Sequence, residues 1–313
     1  MTATLWIITP VYLDVASFLI LRDRLHDVVA ATPEWRDCDL RFVVAEDTAG
    51  RDPEVRALDE LEDVTVIQPP FNLGHQRAIV YALRKLGGRI GDDDYVVTMD
   101  SDGEDTPEDV PRLLAPLHEQ TLQPVVVALR TSRQETFAFK LFYLLFRALF
   151  VVLTGVTVRS GNFAAYRGQT ACSILGHPSF DVTYSAALIS LDLPIVGIPC
   201  ARGARYAGQS RMGMAKLVRH GLGMLMPYLD RIAIRALMLF SAIVTACVAL
   251  SIAVVVIRLS TRHAIPGWAT ATLLGLWISS LISIGNFVVL FAVYTQNRAM
   301  ALSRLEQEEY GRA

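Results

Sequence analysis

Two stretches near the C-terminus decide how this chain can be divided. Residues 236–259 carry one charged side chain, Arg258, at their far end, and residues 268–294 carry none. Each exceeds the ~20 apolar residues needed to cross a bilayer. Trp268 and Tyr294 stand at the two ends of the second stretch, where aromatic rings favour the membrane–water interface. The polar hinge between the stretches is short, so they are expected to form a transmembrane hairpin. A soluble alternative would bury two such helices on every side within 313 residues. Arg211, Lys216, Arg219, Arg231 and Arg235 precede the first span, Arg258 and Arg262 flank the hinge, and Arg298, Arg304 and Arg312 follow the second. This bias predicts an integral inner- or plasma-membrane protein with the long N-terminal part and the tail at 295–313 in the cytoplasm. Residues 213–231, with Lys216, Arg219 and His220, have the pattern of an amphipathic juxtamembrane helix. Gly275, Ser279, Ser283 and Gly285 give the second span small residues through which copies could pair as a homo-oligomer.

Ahead of the spans, over residues 1–212, short apolar runs alternate with helical patterns. Runs at 5–9, 40–45, 64–67, 95–99 and 124–129 read as buried strands, with Pro10 stopping the first. Helical patterns lie at 17–31, 53–61, 75–86 and 107–118. Ser17 is expected to cap the first, with Phe18, Leu21, Leu25 and Val28 inward, and Thr106 to cap the last. Further strands are expected at 162–166 and 195–198, around a helix at 180–191. This alternation predicts an α/β domain with a mainly parallel, Rossmann-like sheet. No G-x-G-x-x-G follows the first strand, which argues against a dinucleotide dehydrogenase. No cationic stretch precedes that strand, so it does not read as a secretion signal. A net charge of −2 supplies no basic field, and nucleic acid is not an expected partner. Cys38, Cys172, Cys200 and Cys247 have neither metal-ligand nor redox spacing and are expected as reduced thiols.

Polar residues gather just after the strands, where open α/β sheets bind ligands. Pro10 and Tyr12 follow the first strand, Glu46 and Asp47 the second, Asn72 and His75 the third, and Asp100, Ser101 and Asp102 the fourth. The spacing of Asp100 and Asp102 lets two carboxylates share a hard cation. Mg2+ or Mn2+ there would hold a diphosphate and neutralise charge on a leaving group. A solvated acidic turn is the alternative. The early loops would hold a base and ribose. Arg130 and Arg133, with Arg202, Arg205 and Arg211, form a basic cluster suited to bidentate phosphate binding, of a donor or of a lipid phosphate; contact with lipid headgroups is the alternative. Residues 137–153 carry only Lys140 and Arg147, on one helical face, which fits an interfacial helix or a buried core helix.

Several of these residues stand in motifs. Pro10-Val11-Tyr12-Leu13-Asp14 resembles P-V-Y-N-E, Glu46-Asp47 a D-D pair, and Asn72-Leu73-Gly74-His75-Gln76 the pattern N-x-G-H-Q. The stretch from Asp100 through Glu104 to Glu108 resembles D-A-D-L-Q-D-P-P-E, and Arg205-x-x-Gly208-x-Ser210-Arg211 resembles R-x-x-G-x-S-K. In their order, and with paired C-terminal spans, they resemble the family 2 glycosyltransferases of the GT-A fold. Within that family the chain is similar to the polyprenyl-phosphate glycosyltransferases, the group of dolichol-phosphate mannose synthases and bactoprenol glucosyltransferases. The resemblance implies a GT-A nucleotide-sugar-binding domain followed by interfacial helices and the hairpin. It implies inverting, metal-assisted transfer of a sugar from a UDP- or GDP-linked donor to a polyprenyl phosphate. Asp100 and Asp102 would bind metal and act in catalysis with Arg205 and Arg211. Pro10, Tyr12, Asp14, Glu46, Asp47, Asn72, His75, Ser101, Glu104 and Arg130 would contact the donor. Arg133, Arg205, Ser210 and Arg211 would hold the acceptor phosphate.

The sequence departs from the family pattern at two places. Leu13 replaces an asparagine near the nucleotide. Asn162, in Gly161-Asn162-Phe163-Ala164-Ala165-Tyr166-Arg167, stands where many members have a catalytic aspartate. An amide cannot take a proton as a carboxylate does. A phosphate acceptor has a second pKa near ~6 and needs no base at neutral pH, whereas a hydroxyl does. Asn162 therefore favours a phosphate acceptor over a lipid or glycan hydroxyl, and it leaves open a non-catalytic scaffold. Asp181 is a substitute base or the cap of the helix that follows it.

Overall fold

The computed structural model describes residues 3–119, 123–130, 137–157, 160–207, 214–260 and 267–310. Side-chain alternation along the first strand sets the layers. In β1 (Thr4–Val11), Leu5 and Ile7 enter one apolar core while Trp6 and Ile8 enter the other. That period of two, with both faces apolar, makes a strand covered on both sides. The chain continues through α1 (Val15–Ala31), β2 (Asp39–Glu46), a 3₁₀ segment (Pro53–Glu60), β3 (Val64–Ile67), α2 (His75–Leu86) and β4 (Tyr95–Thr98). A 3₁₀ turn (Pro107–Asp109) leads into α3 (Val110–Glu119), then β5 (Val125–Arg130), α4 (Phe137–Thr154), β6 (Ser160–Arg167) and α5 (Gly168–Ile174). A second 3₁₀ turn (Pro178–Asp181) precedes α6 (Tyr184–Ser190), β7 (Ile195–Cys200) and α7 (Met214–Leu225).

The seven strands form one sheet in the order β3-β2-β1-β4-β6-β5-β7. β3, β2, β1 and β4 are mutually parallel, while β6 runs antiparallel to both β4 and β5, and β7 is parallel to β5. The α/β expectation therefore holds, with one reversed strand near the middle. α1 and α3 cover one face through Phe18, Leu21, Leu25, Leu113 and Leu117; α2, α5 and α6 cover the other through Ile79, Leu83, Ile174 and Leu188. From β1 the order runs to β2 on one side and to β4 on the other. This is a topological switch point, and the crevice beyond the carboxyl ends of β1 and β4 is where such sheets take a ligand.

Local expectations change in several places. Pro10 does not stop β1: the strand continues to Val11 beside Glu46, and proline only removes one ladder donor. Ser17 does not cap α1. Asp14 holds the N-cap position with φ −155°, Ser17 is buried inside the helix, and Val29 rather than Val28 faces the core. The Thr106 hydroxyl donates to Asp109 Oδ2 at 2.7 Å and makes no backbone cap. The helix expected at 180–191 is split before Tyr184, so Asp181 lies in the 3₁₀ turn and accepts Arg84 at 2.6 Å instead of capping. The juxtamembrane stretch is broken at Met226–Tyr228.

Two compact units result: Met1–Ala148 with Thr157–Pro227, and Leu149–Val156 with Tyr228–Ala313. The second unit contains α8 (Leu229–Ser260) and α9 (Trp268–Tyr310), which pack along each other. α9 thus continues into the expected tail, as far as Tyr310. Phe150 packs edge-on against Tyr228 with centroids 5.5 Å apart, and Arg235 donates to the Val151 carbonyl at 3.2 Å. Val218–Ser260 and Trp268–Tyr294 are long and apolar enough to cross a membrane, and Leu239, Leu250, Trp277 and Leu281 are exposed. In α4, Leu144, Leu145, Leu149 and Val152 are exposed as well, so this part is not a buried core helix. Cys38, Cys172, Cys200 and Cys247 form no disulfide among the described residues.

Candidate active site

β4 delivers an acidic turn to the switch point. Thr98 ends the strand, fully buried, and Asp100 follows at the crevice. Gly103 turns the chain with φ +89°; a Cβ there would lie 2.9 Å from the Ala204 carbonyl. That close approach lets residues 202–206 lie against the turn. Gly203 N donates to the Glu104 carbonyl and Tyr206 N to the Asp102 carbonyl, both at 2.9 Å. Arg205 bridges Asp102 at 2.9 Å and Glu104 at 2.8 Å, and Arg202 also pairs with Glu104. Arg130, at the end of β5, faces Asp105 at 3.4 Å and Asp100 at 3.8 Å. The three described arginines expected to hold phosphate, Arg130, Arg202 and Arg205, therefore already balance this carboxylate cluster.

On the other side of Asp100 stand His75, from the N-terminus of α2, and Asn162, from β6. Because β6 is antiparallel to β4, its N-terminal end lies beside the end of β4, and this brings together residues 62 apart in sequence. His75 Nε2 is 2.8 Å and Asn162 Nδ2 3.0 Å from the same oxygen, Asp100 Oδ1. His75 Nε2 and Asn162 Nδ2 also touch. Asp105 Oδ2 accepts from Asp100 N at 2.9 Å.

Charge and burial set the ionisation of this cluster. Burial alone would raise the Asp100 carboxyl, but His75, Arg130 and the Asn162 amide hold it well below the usual carboxylate range. Burial pushes Asp102 up, and the charge of Asp100 adds to it against Arg205. Asp105 is raised by burial and then by Asp100, with Arg130 opposing. Burial would raise Glu104 too, yet Arg202 and Arg205 hold it down. Burial works to lower His75, and Asp100, Asp102 and Asp105 together raise it. Asp100 is thus an anion beside a histidine that is drawn toward its cationic form.

The neighbouring loops are held by the other expected residues. Glu46 accepts from Thr48 N and Gly50 N at 2.6 and 2.9 Å, shaping its own loop. The Asp47 carboxylate accepts from Leu73 N and Gly74 N at 2.6 and 2.9 Å, and Asn72 donates to the Asp47 carbonyl at 2.7 Å. Asp47 and Asn72 tie the β2 and β3 loops together. The Ser101 hydroxyl donates to the Pro10 carbonyl at 3.3 Å, joining the β4 and β1 ends. Tyr12 and Leu13 are exposed at the rim, and Asp14 starts α1. Arg133, Ser210 and Arg211 lie outside the described residues.

A model of Glycosyl transferase family 2 matches residues 6–170, more than half of the chain. The chain belongs to glycosyl transferase family 2. It is a glycosyltransferase with the GT-A arrangement of sheet and helices. No curated protein matches its sequence. Among solved structures it is similar to glucosyl-3-phosphoglycerate synthase from Mycobacterium tuberculosis in complex with Mn2+, UDP-glucose and phosphoglyceric acid. The identity is 17% and the TM-score 0.50, over 74% of this chain and 80% of that one. A mannosyltransferase from Pyrobaculum calidifontis with GDP-mannose and Mn2+ is 14% identical, with TM-score 0.44 over 90% of this chain and 88% of that one. Mannosyl-3-phosphoglycerate synthase from Rubrobacter xylanophilus is 16% identical, with TM-score 0.43 over 74% of each chain.

In this glycosyltransferase several residues matter that the motifs alone did not assign. Asp105, inside the acidic motif, buttresses Asp100. Beneath the site Thr98 Oγ1 donates to the Asn162 carbonyl at 2.6 Å and meets Tyr184 OH at 2.9 Å, and Tyr184 OH meets Tyr166 OH at 3.1 Å. Gln76 links Asn162 to α6. Its place as the last residue of the N-x-G-H-Q pattern was the sequence signal for it, with no role attached.

Proposed function

We propose that this glycosyltransferase moves a sugar from a UDP- or GDP-linked donor to a polyprenyl phosphate at the cytoplasmic face of a membrane, with inversion at the anomeric carbon. The observation that carries the reading is at Asn162. Where a base would be needed for a hydroxyl acceptor, the chain presents an amide whose N–H points at Asp100. An acceptor phosphate is already an anion near neutral pH. One of its oxygens forms the bond to the anomeric carbon as the carbon–oxygen bond to the diphosphate breaks. The nucleoside diphosphate leaves with the electron pair, and no proton has to be removed.

Asp100 and Asp102 would hold Mg2+ or Mn2+. Among the described residues no three His, Cys, Asp or Glu side chains converge into a metal cage. Two carboxylates with the remaining ligands from diphosphate and water suit a small hard cation delivered with the donor. Bound there, the metal would neutralise charge on the leaving diphosphate. The chain's own residues orient and balance. Asp47, Asn72 and Glu46 shape the nucleotide loops, with Pro10, Tyr12, Asp14 and Ser101 at their rim. Glu104 holds Arg205 ready to turn from Asp102 to phosphate. Arg133, Arg205, Ser210 and Arg211 are proposed for the acceptor phosphate.

Membrane placement is supported by the exposed apolar surfaces of α8 and α9 and by the flanking arginines. We assign residues 1–212 as the cytoplasmic catalytic domain, with an interfacial helix at 137–153. Residues 213–231 would lie at the membrane surface, 236–259 and 268–294 would span it, and 295–313 would return to the cytoplasm. Pairing of copies through the second span belongs to the same proposal. The test is transfer of radiolabelled sugar by the full chain, with Mn2+, into organic-extractable lipid. Label released by mild acid is expected, because a glycosyl phosphate hydrolyses readily. Acid-stable label, or none from any UDP- or GDP-sugar, refutes the reading.

A further inference from the structure

Gln76 sits one residue after His75 at the start of α2, and its two amide atoms have different surroundings. Its Oε1 receives three donors from the start of α6: Thr183 Oγ1 at 3.2 Å, Tyr184 N at 3.1 Å and Ser185 N at 2.9 Å. Two of these are backbone N–H groups, which can only donate. The Gln76 amide is therefore fixed, with oxygen toward α6 and its NH2 toward Asn162 Oδ1. Asn162 is fixed in turn. Its oxygen is taken by Gln76, so its NH2 faces Asp100 Oδ1 at 3.0 Å. Asn162 is only 5% exposed, and its backbone carbonyl is held from below by Thr98, so the side chain stays in place and the direction of its amide is set by what Gln76 presents to it.

We infer that Gln76 is a positioning residue: anchored on α6, it sets the Asn162 amide as a hydrogen-bond donor to Asp100 and so fixes the orientation of the proposed metal-binding carboxylate. The inference rests on the proposed metal role of Asp100 and adds the residue that aims it. Groups that orient a metal's ligands typically carry about 10–100-fold in metal affinity. It also gives Asn162 a use that an aspartate could not fill, because a second carboxylate would meet Asp100 with like charge.

Gln76→Glu is the informative change. Glutamate keeps the size and keeps an oxygen for the three donors of α6, so the fold retains its anchor. Its second oxygen would then face Asn162 Oδ1. Asn162 must turn its NH2 to the glutamate and present its own oxygen to Asp100, which removes the donor. Mn2+ binding to the full chain with UDP or GDP is read by electron paramagnetic resonance, beside the thermal midpoint. The expected result is an unchanged or higher midpoint with Mn2+ affinity weakened by about 10–100-fold. Asn162→Ala should weaken Mn2+ binding similarly, and the double variant Gln76→Glu/Asn162→Ala should add little to it, since both act through one contact. Mn2+ binding unaffected by Gln76→Glu, or losses that add in full, overturn the inference and leave the metal assignment standing. A wild-type chain that binds no Mn2+ with either nucleotide overturns both.

Discussion

Thr98→Val tests whether the site rests on the hydroxyls buried beneath it. Valine matches threonine in shape, so the change removes one oxygen and little volume. Thr98 is fully buried; its hydroxyl donates to the Asn162 carbonyl at 2.6 Å and shares a hydrogen with Tyr184 OH at 2.9 Å. Without it the Asn162 carbonyl loses that donor, while Tyr184 keeps Tyr166. Leaving a buried acceptor unsatisfied costs about 1–3 kcal/mol. At about 2–4 °C per kcal/mol for a domain of about 150–250 residues, the thermal midpoint should fall by roughly 4–8 °C for a cost near 2 kcal/mol. Thr98→Ser is the control. It keeps the oxygen and loses one buried methyl, worth about 0.8 kcal/mol. Circular dichroism melts of both variants in the same detergent give the comparison. Sugar transfer should fall further in the valine variant, because the strand segment that carries Asn162 has lost its tether. A valine variant as stable as wild type, or a serine variant that is the less stable of the two, would refute the reasoning.

Three further outcomes follow from other contacts. Burial would raise Asp63, but its hydrogen bonds from Arg22 at 2.8 Å and His26 at 2.8 Å hold it below its ordinary value. A lowered native pKa gives stability that is present above the unfolded value of about 3.9 and is lost as pH falls below it. Arg22→Ala should therefore cost about 1–2 kcal/mol at neutral pH, and melts should show the gap to wild type closing below about pH 4. Gly103→Ala forces a side chain into φ +89° and against the Ala204 carbonyl, at a cost of about 1–3 kcal/mol. Limited proteolysis near residues 201–207 should speed up in that variant. Gly168→Ala puts a Cβ 1.9 Å from the Gly91 carbonyl, and its thermal midpoint should drop without a change in Mn2+ affinity.

The sheet was legible where burial on both faces leaves unbroken apolar runs, as in residues 5–8 and 42–45. The acidic turn was legible because one strand delivers Asp100 and Asp102 together. Strand direction was not, since the pattern of β6 is the same whichever way it runs; the reversal comes from pairing with β4 and β5. Asn162 could be matched to a motif, but the aim of its amide depends on Gln76, and that of Gln76 on α6 more than 100 residues later. Ser17 shows the opposite failure. Serine favours helix caps, yet the apolar face from Val15 through Phe18 to Leu25 starts the helix earlier and buries it. Of the arginines read from sequence as phosphate ligands, the described ones, Arg130, Arg202 and Arg205, lie against Asp102, Glu104 and Asp105. Spacing alone could not reveal that pairing.

The central claim is that the acidic turn after β4 hands a sugar to a phosphate and not to a hydroxyl. The direct measurement gives the purified full chain a radiolabelled nucleotide sugar and Mn2+, with a polyprenyl phosphate in one arm and the matching polyprenol in the other. The account predicts label in the phosphate arm alone, lost with Asp102→Ala. Equal label in the polyprenol arm, or transfer to the phosphate that survives Asp102→Ala, would contradict it.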